Sequence, residues 1–537
     1  MTNHKISLMD CTLRDGGYIN NWEFGEHAII GITKKMAQTG IEAIELGFIK
    51  PQPDDKGRTV FSGTTEVKRA LPEKDSRMLY VGMLDMSSPV PMEKITPREA
   101  DGIDALRVIF KKNKIQEGID YCIDARKKGY LVFVQPVGSD LYSDEEFIRM
   151  IQRFNTVKPD ALYIVDSFGL IKMKHFLRLV YLADNNLDLD IALGYHSHNN
   201  LQQAFANAQA LTELSLNRDI YIDACVFGMG RGAGNLHMEL FAEYLNENFG
   251  KNYRIEPLLE IIDLYLNDIY RKHFWGYSLP YYLSASNSCH PNYAIYFEKK
   301  GSLTVKSFNE VLKSIPDKQK ALYSPEIAES IYQNYQRNYV DDADILSRLE
   351  KEFSGKPLLI LAPGKSLNKF GNALQEFIDQ YHPIVISLSH YNEVFKSNYV
   401  FCTNAKRSDK IYEYSPATLI LTSNIREYTG NPYLLNYASY ACDMVEIAEN
   451  SGIMFLNLLL TLGIKESYIA GMDGYTEAPN FFTNKLDVIY SKSEKDVRNF
   501  LIKNQLDVIS KRLTLHFLTP SVYCSNVVEG GTCQQRL

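Results

Sequence analysis

The stretch LMDCTLRDGGYINNWEF (residues 8–24) begins with an apolar run and then places Arg14 and Asp15 directly before two glycines. A strand that ends in an adjacent cation and carboxylate, followed by a turn that glycine makes easily, directs polar side chains to one end of the strand. The pattern predicts that strand ends carry the chemistry of this chain. The fold then depends on how many such strands follow.

Short apolar runs rich in β-forming residues recur up to about residue 230, with amphipathic segments such as HAIIGITKKMAQTG between them. There are eight: KISLMDC, IEAIELGF, MLYVGML, ALRVIF, YLVFVQPV, ALYIVDSFG, IALGYHSH and IYIDACVFGMG. Flat apolar runs of this kind are typical of parallel strands covered by helices. Eight β/α units favour a closed (β/α)8 TIM barrel over a doubly wound open sheet.

The remaining sequence divides into two further segments. We expect a TIM-barrel domain over residues 1–235, a mostly helical cap and linker over 236–354, and a second α/β domain over 355–537. The last segment resumes the β/α alternation in PLLILAPGKSL, PIVISLSHY, SNYVFCTN, ATLILTSN and ESYIAGMDGY. We therefore predict a Rossmann-like fold for it.

Composition excludes several classes of function. The 537 residues are 45% hydrophobic and carry a net charge of -7, with basic and acidic residues mixed along the chain. No basic stripe is present for a phosphate backbone, so we expect no nucleic-acid partner. No apolar stretch approaches the roughly 20 residues that span a bilayer, and no signal segment begins the chain. These features favour a cytoplasmic enzyme, and a homo-oligomer is compatible with them.

Polar residues at the ends of the barrel strands are the candidate site, because TIM-barrel chemistry gathers at that face. Strand 1 ends in Arg14 and Asp15, and strand 7 ends in His196 and His198. The two histidines are two residues apart and point to one face of the strand, which suits a divalent cation. Asp15 would complete three protein ligands, and this donor set favours Mn²⁺ or Mg²⁺, with Co²⁺ or Zn²⁺ as alternatives.

Two other strand ends offer carboxylates to a substrate. Glu45 lies on strand 2 and Asp166 ends strand 6. We predict that both bind substrate at the same face of the barrel.

Three separated motifs resemble the signatures of the HMGL-like, or DRE-TIM, metallolyase superfamily. They are DCTLRDGG, HSHNN and GMGRGAGN, and the resemblance extends over about residues 1–300. It implies that Asp15, His196 and His198 bind a divalent metal, and that Asn235 ligates or approaches it. It also implies that Arg14 stabilises an enolate oxygen, while the metal polarises a 2-oxo acid whose C–C bond forms or breaks.

Departures from the superfamily patterns select among its reactions. Acyl-CoA-using synthases typically read RDGEQ where this chain reads RDGGY, and the CoA lyase has a cysteine that GMGRGAGN lacks. Both are therefore disfavoured relative to a 4-hydroxy-2-oxovalerate aldolase-like enzyme. Such aldolases carry a histidine acid/base where this chain has Tyr18, which is therefore the predicted catalytic residue at this position. Its ordinary pKa near 10 makes it a poor base unless the metal or Arg14 lowers that pKa. Rival acid/base groups are Tyr277, Tyr281, Tyr282 and His290.

The C-terminal segment contains a strand, a glycine turn and a helix start in LLILAPGKSLNKFG, an arrangement that presents backbone N–H groups to an anion. APGKSL, FCTNAKR, LLLTLGIKESYIAGMDGY and LTPSVY are similar to nucleotide-binding folds of sialyltransferase-like and hydroxymethylpterin pyrophosphokinase-like proteins. The resemblance implies Gly364, Ser366, Asn404 and Asp473 as nucleotide-binding residues.

The sequence therefore predicts a metal-dependent aldolase or lyase that acts on a 2-oxo acid and an aldehyde. Its fused domain would bind a nucleotide or nucleotide-sugar, as in surface glycan biosynthesis. An acyl-CoA-dependent condensing enzyme, a C-terminal docking module without catalysis, and a barrel that has lost activity are the alternatives. The aldehyde, the direction of reaction and the nucleotide stay open.

Overall fold

The structure is a computed structural model of the chain, and it describes residues 5–71, 73–412, 415–476, 490–524 and 533–534. The chain forms two compact units. The first comprises Met1–Ile295 and Asp317–Leu322, and the second comprises Tyr296–Pro316 and Tyr323–Leu537. The segment predicted as cap and linker is helical and is divided between the two units, so its predicted boundaries do not coincide with those of the units.

The first unit contains eight parallel strands that close into a barrel, as predicted. They are β1 (Ile6–Asp10), β2 (Ala43–Ile49), β3 (Leu79–Asp85), β4 (Ala105–Phe110), β5 (Leu131–Pro136), β6 (Ala161–Asp166), β7 (Ala192–Ser197) and β8 (Ile220–Ala224). Each strand pairs with the next along the chain, and β1 pairs in parallel with both β2 and β8, which closes the ring. A two-residue strand, Val60–Phe61, adds to β2 outside the ring.

Helices surround this barrel and extend the unit beyond it. Their ranges are Gly17–Asn20, Glu26–Met36, Thr64–Val67, Ile115–Lys127, Asp144–Asn155, Met173–Asn186, Ala204–Glu213, Met238–Phe249, Glu256–Ile261, Asn267–Lys272, Leu279–Ser286 and Asp317–Lys320. The helix Pro291–Lys300 begins in the first unit and ends in the second. The helix that starts at Asp144 shows why these segments are helical. Ser143 and Glu146 form a capping box at its start, and Phe147, Met150, Ile151 and Phe154 lie on its buried face.

The barrel core has two layers. Side chains such as Met9, Val81, Phe133 and Tyr163 point inward and fill the interior of the ring. The alternate side chains of the strands point outward and pack against the surrounding helices. The filled interior leaves the polar residues at the carboxyl ends of the strands as one layer above it.

The second unit is built on a separate parallel sheet, which confirms the predicted α/β class. Its strands are β9 (Leu358–Leu361), β10 (Ile384–Leu388), β11 (Tyr399–Cys402), β12 (Thr418–Thr422), β13 (Tyr433–Leu435), β14 (Glu466–Ala470) and β15 (Thr514–Phe517). Their order across the sheet is β13-β12-β11-β10-β9-β14-β15, with Cys533–Gln534 antiparallel at the β15 edge. The sequence runs predicted β9 to β12 and β14.

Helices complete this second unit. Their ranges are Val305–Ser314, Pro325–Gln336, Ala343–Phe353, Ser366–Lys369, Gly371–Tyr381, Ala405–Tyr412, Tyr437–Tyr440, Ser451–Thr461 and Lys492–Ile509. Most residues of Ser451–Thr461 are buried in the core of this unit. In the part of the chain that the structure describes, no helix has both the length and the apolar character needed to cross a membrane.

Candidate metal centre at the mouth of the barrel

Three predicted ligands meet at the carboxyl ends of β1 and β7. The Nε2 atom of His196 lies 3.4 Å from Oδ2 of Asp15, and the Nε2 atom of His198 lies 4.0 Å from the same oxygen. One donor atom from each of the three residues lies within 4.8 Å of the others, and all three side chains are buried. The strand register therefore brings two imidazoles and one carboxylate to a single point.

His196 is held in place by a residue that the sequence analysis missed. Its Nδ1 atom lies 2.9 Å from Oδ2 of Asp223, which belongs to β8. Because Nδ1 is engaged by a carboxylate, Nε2 faces Asp15, and this is the usual way in which a second carboxylate orients a metal-binding imidazole. The only signal in the sequence is an acidic residue in the apolar run IYIDAC.

Arg107 is the second residue missed, and it is completely buried inside the barrel. Its guanidinium forms an ion pair with Asp223 and lies 3.2 Å from Oε2 of Glu45. It also stacks over the ring of Tyr163, with 4.5 Å between the guanidinium carbon and the ring centroid. Arg107 thus links the carboxylates of β2 and β8 beneath the metal cluster.

Arg14 is fixed by two carboxylates. Its Nε donates to Oε2 of Glu45 over 2.6 Å, and its Nη1 donates to Asp15. Its Nη2 is buried and has no hydrogen-bond partner among the described residues. A buried guanidinium N–H without an acceptor is costly, so this donor is available for an oxygen that arrives with a substrate.

Glu45 and Asp166, predicted to bind substrate, have structural partners. Glu45 is a counter-ion shared by Arg14 and Arg107. The carboxylate of Asp166 accepts the backbone N–H groups of Leu170 at 2.8 Å and Ile171 at 3.0 Å, which closes the loop after β6. The structure does not bring Asp166 into the metal cluster, and substrate binding by either residue stays a prediction.

The charge states of Asp15 and His198 suit a cation, whereas His196 has to lose a proton before it binds one. Burial opposes ionisation of Asp15, but Arg14, His198 and His196 together hold the pKa of Asp15 well below its usual range. Burial lowers the pKa of His198 to about 4, so its ring is neutral at pH 7. Burial also acts against a charge on His196, but Asp15 and Asp223 outweigh it and raise the pKa of His196.

Asn235 joins the cluster through its amide. Its Nδ2 donates to Oδ1 of Asp15 over 3.0 Å, and its Oδ1 is buried without a partner among the described residues. A β-carbon on Gly230 would clash with this amide, so glycine is required for the loop to pass so close. Two imidazoles, a carboxylate and an unpaired amide oxygen fit a divalent cation, and metal binding by these residues stays a prediction.

Tyr18 lies at the mouth of the barrel and is 41% exposed. Its ring packs on Trp22, with 4.8 Å between the centroids, and on the edge of Phe48. Partial burial of the side chain, followed by the charge of Asp15, raises the pKa of Tyr18 to about 12. Tyr18 is therefore protonated at neutral pH and is a proton donor rather than a base.

In the second unit, three predicted nucleotide-binding residues lie together. The backbone N–H of Ser366 donates to Oδ2 of Asp473 over 2.8 Å, and its hydroxyl donates to the other oxygen. A β-carbon on Gly364 would clash with the carbonyl of Gly471 and with Asp473. The N–H of Ser366 expected to meet a phosphate is therefore engaged by a carboxylate, and Gly364 serves close packing of the two turns.

Asn404 has a different environment from these three residues. Its Oδ1 accepts the N–H of Arg407 at 3.2 Å, and its Nδ2 donates to the carbonyl of Gly301 over 3.3 Å. No hydrogen bond among the described residues joins it to Gly364, Ser366 or Asp473. Its role in nucleotide binding stays a prediction.

Comparison with known proteins bears on the barrel. The family model described as HMGL-like matches residues 108–263. Over these residues the first unit is similar to the HMGL-like family. The match begins within β4 and ends beyond β8, so it includes the HSHNN and GMGRGAGN motifs.

Each of three curated relatives aligns with slightly less than half of this chain. The 4-hydroxy-2-oxovalerate aldolase of Desulfitobacterium hafniense is 22% identical over 249 residues, which is 45% of this chain and 72% of the relative. That of Chloroflexus aurantiacus is 25% identical over 261 residues, 48% of this chain and 72% of the relative. The oxaloacetate decarboxylase of Mycobacterium tuberculosis is 25% identical over 246 residues, 44% of this chain and 69% of the relative.

Proposed function

We propose that the barrel catalyses metal-dependent formation or cleavage of a C–C bond in a 2-oxo acid, by way of an enolate. The observation that carries the proposal is the buried Nη2 donor of Arg14, which lacks a partner and lies beside the cluster of Asp15, His196 and His198. The HMGL-like domain and the aldolase names of its relatives support the coarser class of aldolase or lyase.

Asp15, His196 and His198 would hold the cation, with Asn235 as a further donor. When bound, a divalent cation supplies Lewis acidity toward the oxygens of a 2-oxo acid. Arg14 supplies a fixed positive charge at the enolate oxygen, in a site where burial strengthens its effect. Glu45 keeps the guanidinium in one orientation, so no reorganisation is needed as charge develops.

Tyr18 is the proposed proton donor to the carbonyl oxygen of the aldehyde in the direction of bond formation. Its raised pKa keeps the proton on the hydroxyl until an alkoxide develops nearby. Tyr18→Phe should lower aldol turnover by roughly 10²- to 10⁴-fold and leave metal content unchanged. Full aldol activity in this variant would show that Tyr18 is not the acid/base, and His290 would be the next candidate.

Decarboxylation is a second candidate reaction for the same site. Loss of carbon dioxide from a 2-oxo acid with a carboxylate on C3 leaves the enolate that aldol cleavage also forms. One of the relatives is named an oxaloacetate decarboxylase, which favours testing this substrate. The same charges of Arg14 and the cation would stabilise the enolate in either reaction.

The proposal is tested by enolate formation without an aldehyde. The full chain, pyruvate and Mn²⁺ are incubated in deuterated water, and loss of the C3 proton signal is followed by NMR. We expect exchange that depends on Mn²⁺, stops with EDTA and resumes when Mn²⁺ or Mg²⁺ is added in excess. If pyruvate and other 2-oxo acids show no exchange while the protein holds its metal, the enolate reaction is wrong.

For the second unit we propose nucleotide binding at the carboxyl ends of β9 and β14. Within the sheet, β9 has β10 as its neighbour on one edge and β14 as its neighbour on the other, so the chain moves away from β9 in one direction and later returns to its opposite edge. Ligands of open α/β sheets bind where the strand order reverses in this way, and Gly364 and Asp473 follow β9 and β14 at that point. Asp473 would repel a bare phosphate, so a metal-complexed nucleotide suits the site best.

A transfer reaction in surface glycan biosynthesis stays a prediction, as does a docking role for this unit. A cytoplasmic location and a homo-oligomeric state are also predictions. Separate assays of aldol activity and nucleotide binding distinguish an enzyme with two sites from a barrel with a docking module.

A further inference from the structure

Arg231 stands at the mouth of the barrel in the glycine-rich loop after β8. The loop is fixed by Asn200, whose Oδ1 accepts the N–H of Ala233 at 2.8 Å. Gly232 and Gly234, with φ of +72° and +84°, allow the turn around this anchor. The loop thus holds the Arg231 backbone at a defined position next to Asn235, which belongs to the metal cluster.

The side chain of Arg231 extends between two candidate acid/base groups. Its Nη2 contacts the ring of His290, and its guanidinium carbon lies 5.8 Å from the ring centroid of Tyr18. His290 in turn packs edge-on against Phe168, with 5.4 Å between the ring centroids. Arg231 therefore lies on the side of the mouth where the proposed proton donor stands.

Arg231 differs from the buried arginines of the barrel, because no carboxylate among the described residues neutralises its charge. Arg14, Arg107 and Arg218 each form an ion pair with a carboxylate. Arg231 is half-buried, and no carboxylate among the described residues lies within ion-pair distance of it. Burial accordingly lowers the pKa of Arg231.

Its neighbours do not supply the missing charge. Burial, Arg231 and Lys111 lower the pKa of His290 to about 3, so the imidazole is neutral at pH 7. Asp15 acts on Arg231 only at a distance, and the proposed cation would offset its charge. A partly buried guanidinium with neutral neighbours is an anion site whose anion arrives from solution.

We propose that Arg231, with His290 beside it, binds an anionic group on the aldehyde substrate, either a carboxylate or a phosphate ester. The inference rests on the proposed aldol reaction, because that reaction requires a second substrate near Tyr18. Arg14 and the cation already account for the charges of the 2-oxo acid. Arg231 is therefore left for the partner that the enolate attacks.

The test compares aldehydes with the full chain, pyruvate and Mn²⁺. The probes are propionaldehyde, which is neutral, succinic semialdehyde, which carries a carboxylate, and glyceraldehyde 3-phosphate, with glyceraldehyde as its neutral counterpart. We expect an anionic aldehyde to react with the higher kcat/KM, and the better of the two identifies the anion. Arg231→Gln should lower that kcat/KM by about 10- to 100-fold, as expected for loss of a charged hydrogen bond.

Three controls accompany this variant. Exchange of the pyruvate C3 protons without aldehyde should be unchanged in Arg231→Gln, since Arg231 does not serve the enolate. Arg271→Gln removes an exposed arginine paired with Asp268 and should leave the aldehyde preference unchanged. Arg231→Lys retains the charge and should retain part of the preference, which makes a folding defect in the glutamine variant recognisable.

A binding measurement separates this inference from the proposed reaction. Inorganic phosphate and malonate should each be tested for a thermal shift of the wild-type chain that is smaller in Arg231→Gln. A shift that depends on Arg231 without pyruvate exchange would overturn the aldol reaction and leave the anion site standing. Exchange without any effect of Arg231→Gln on anion binding or aldehyde preference would overturn the anion site.

Discussion

The Nδ1 atom of His196 lies 2.9 Å from Oδ2 of Asp223, and the same oxygen is the ion-pair partner of Arg107. One carboxylate therefore fixes an imidazole at the metal cluster and neutralises a guanidinium in the barrel interior. Arg107 also reaches Glu45, which holds Arg14. The candidate metal site and the candidate enolate site thus share one buried network.

This relationship predicts the effect of Asp223→Asn. The amide accepts a weaker hydrogen bond from His196 than the carboxylate does, and it leaves the positive charge of Arg107 without its ion-pair partner. Mn²⁺ affinity should therefore fall about 10- to 100-fold. Titration calorimetry of the metal-free chain with Mn²⁺ measures this. Asp219→Asn, at an exposed carboxylate just before β8, is the matched control and should bind as the wild type does. Equal affinity in both variants would show that Asp223 does not orient the ligand.

Arg14→Lys tests the charge at the enolate oxygen. Lysine keeps the charge but cannot reach Glu45, Asp15 and a substrate oxygen with one planar group. We expect pyruvate exchange to slow about 100-fold, close to 2.7 kcal/mol of barrier, with metal content unchanged. The NMR exchange rate at saturating pyruvate is the measurement. An unchanged exchange rate would show that Arg14 has no part in the reaction and only stabilises the buried network of ion pairs.

Metal binding should depend on pH through one histidine. His196 has a raised pKa, and a protonated imidazole cannot bind a cation, so protons compete with the metal below that pKa. Affinity should therefore rise with pH, level off above the pKa of His196, and fall about tenfold per unit below it. His198, with a pKa of about 4, adds no proton until the pH nears that value.

Calorimetry in two buffers of different ionisation enthalpy counts the protons released. We expect about one proton per bound Mn²⁺ below the pKa of His196 and a number near zero well above it. Release of two protons at pH 6 would show that His198 is also charged in the metal-free site. It would contradict the charge states on which the fit to a cation depends.

The nucleotide proposal predicts a stabilisation of the second unit. A nucleotide at a hundred times its dissociation constant adds about 2.7 kcal/mol, which shifts a melting point by roughly 2–4 °C for a domain of this size. The full chain is screened with common nucleotides and Mg²⁺. Lys365 lies between Gly364 and Ser366 in the turn after β9, so Lys365→Gln removes a cation that could meet the phosphates and should reduce the shift. Lys369→Gln, on the adjoining short helix, is the control. A panel of nucleotides without effect would favour the docking role.

The barrel could be predicted from the sequence because its strands are short apolar runs separated by amphipathic helices. Asp15, His196 and His198 stand where such strands end, so their meeting follows from the fold. Arg107 and Asp223 could not be foreseen, because each interrupts an apolar run and only the closed ring shows that they face each other. Tyr433–Leu435 was missed because it has only three residues, and Thr514–Phe517 was missed because Thr514 and His516 alternate with its two apolar residues.

Metal content tests the central claim most directly. The wild-type chain and the His196→Ala/His198→Ala double variant are each loaded with Mn²⁺, desalted and analysed by inductively coupled plasma mass spectrometry, with circular dichroism to verify the fold. The account predicts about one equivalent of metal per chain in the wild type and none in the folded double variant. A full equivalent in the double variant would contradict the proposed site.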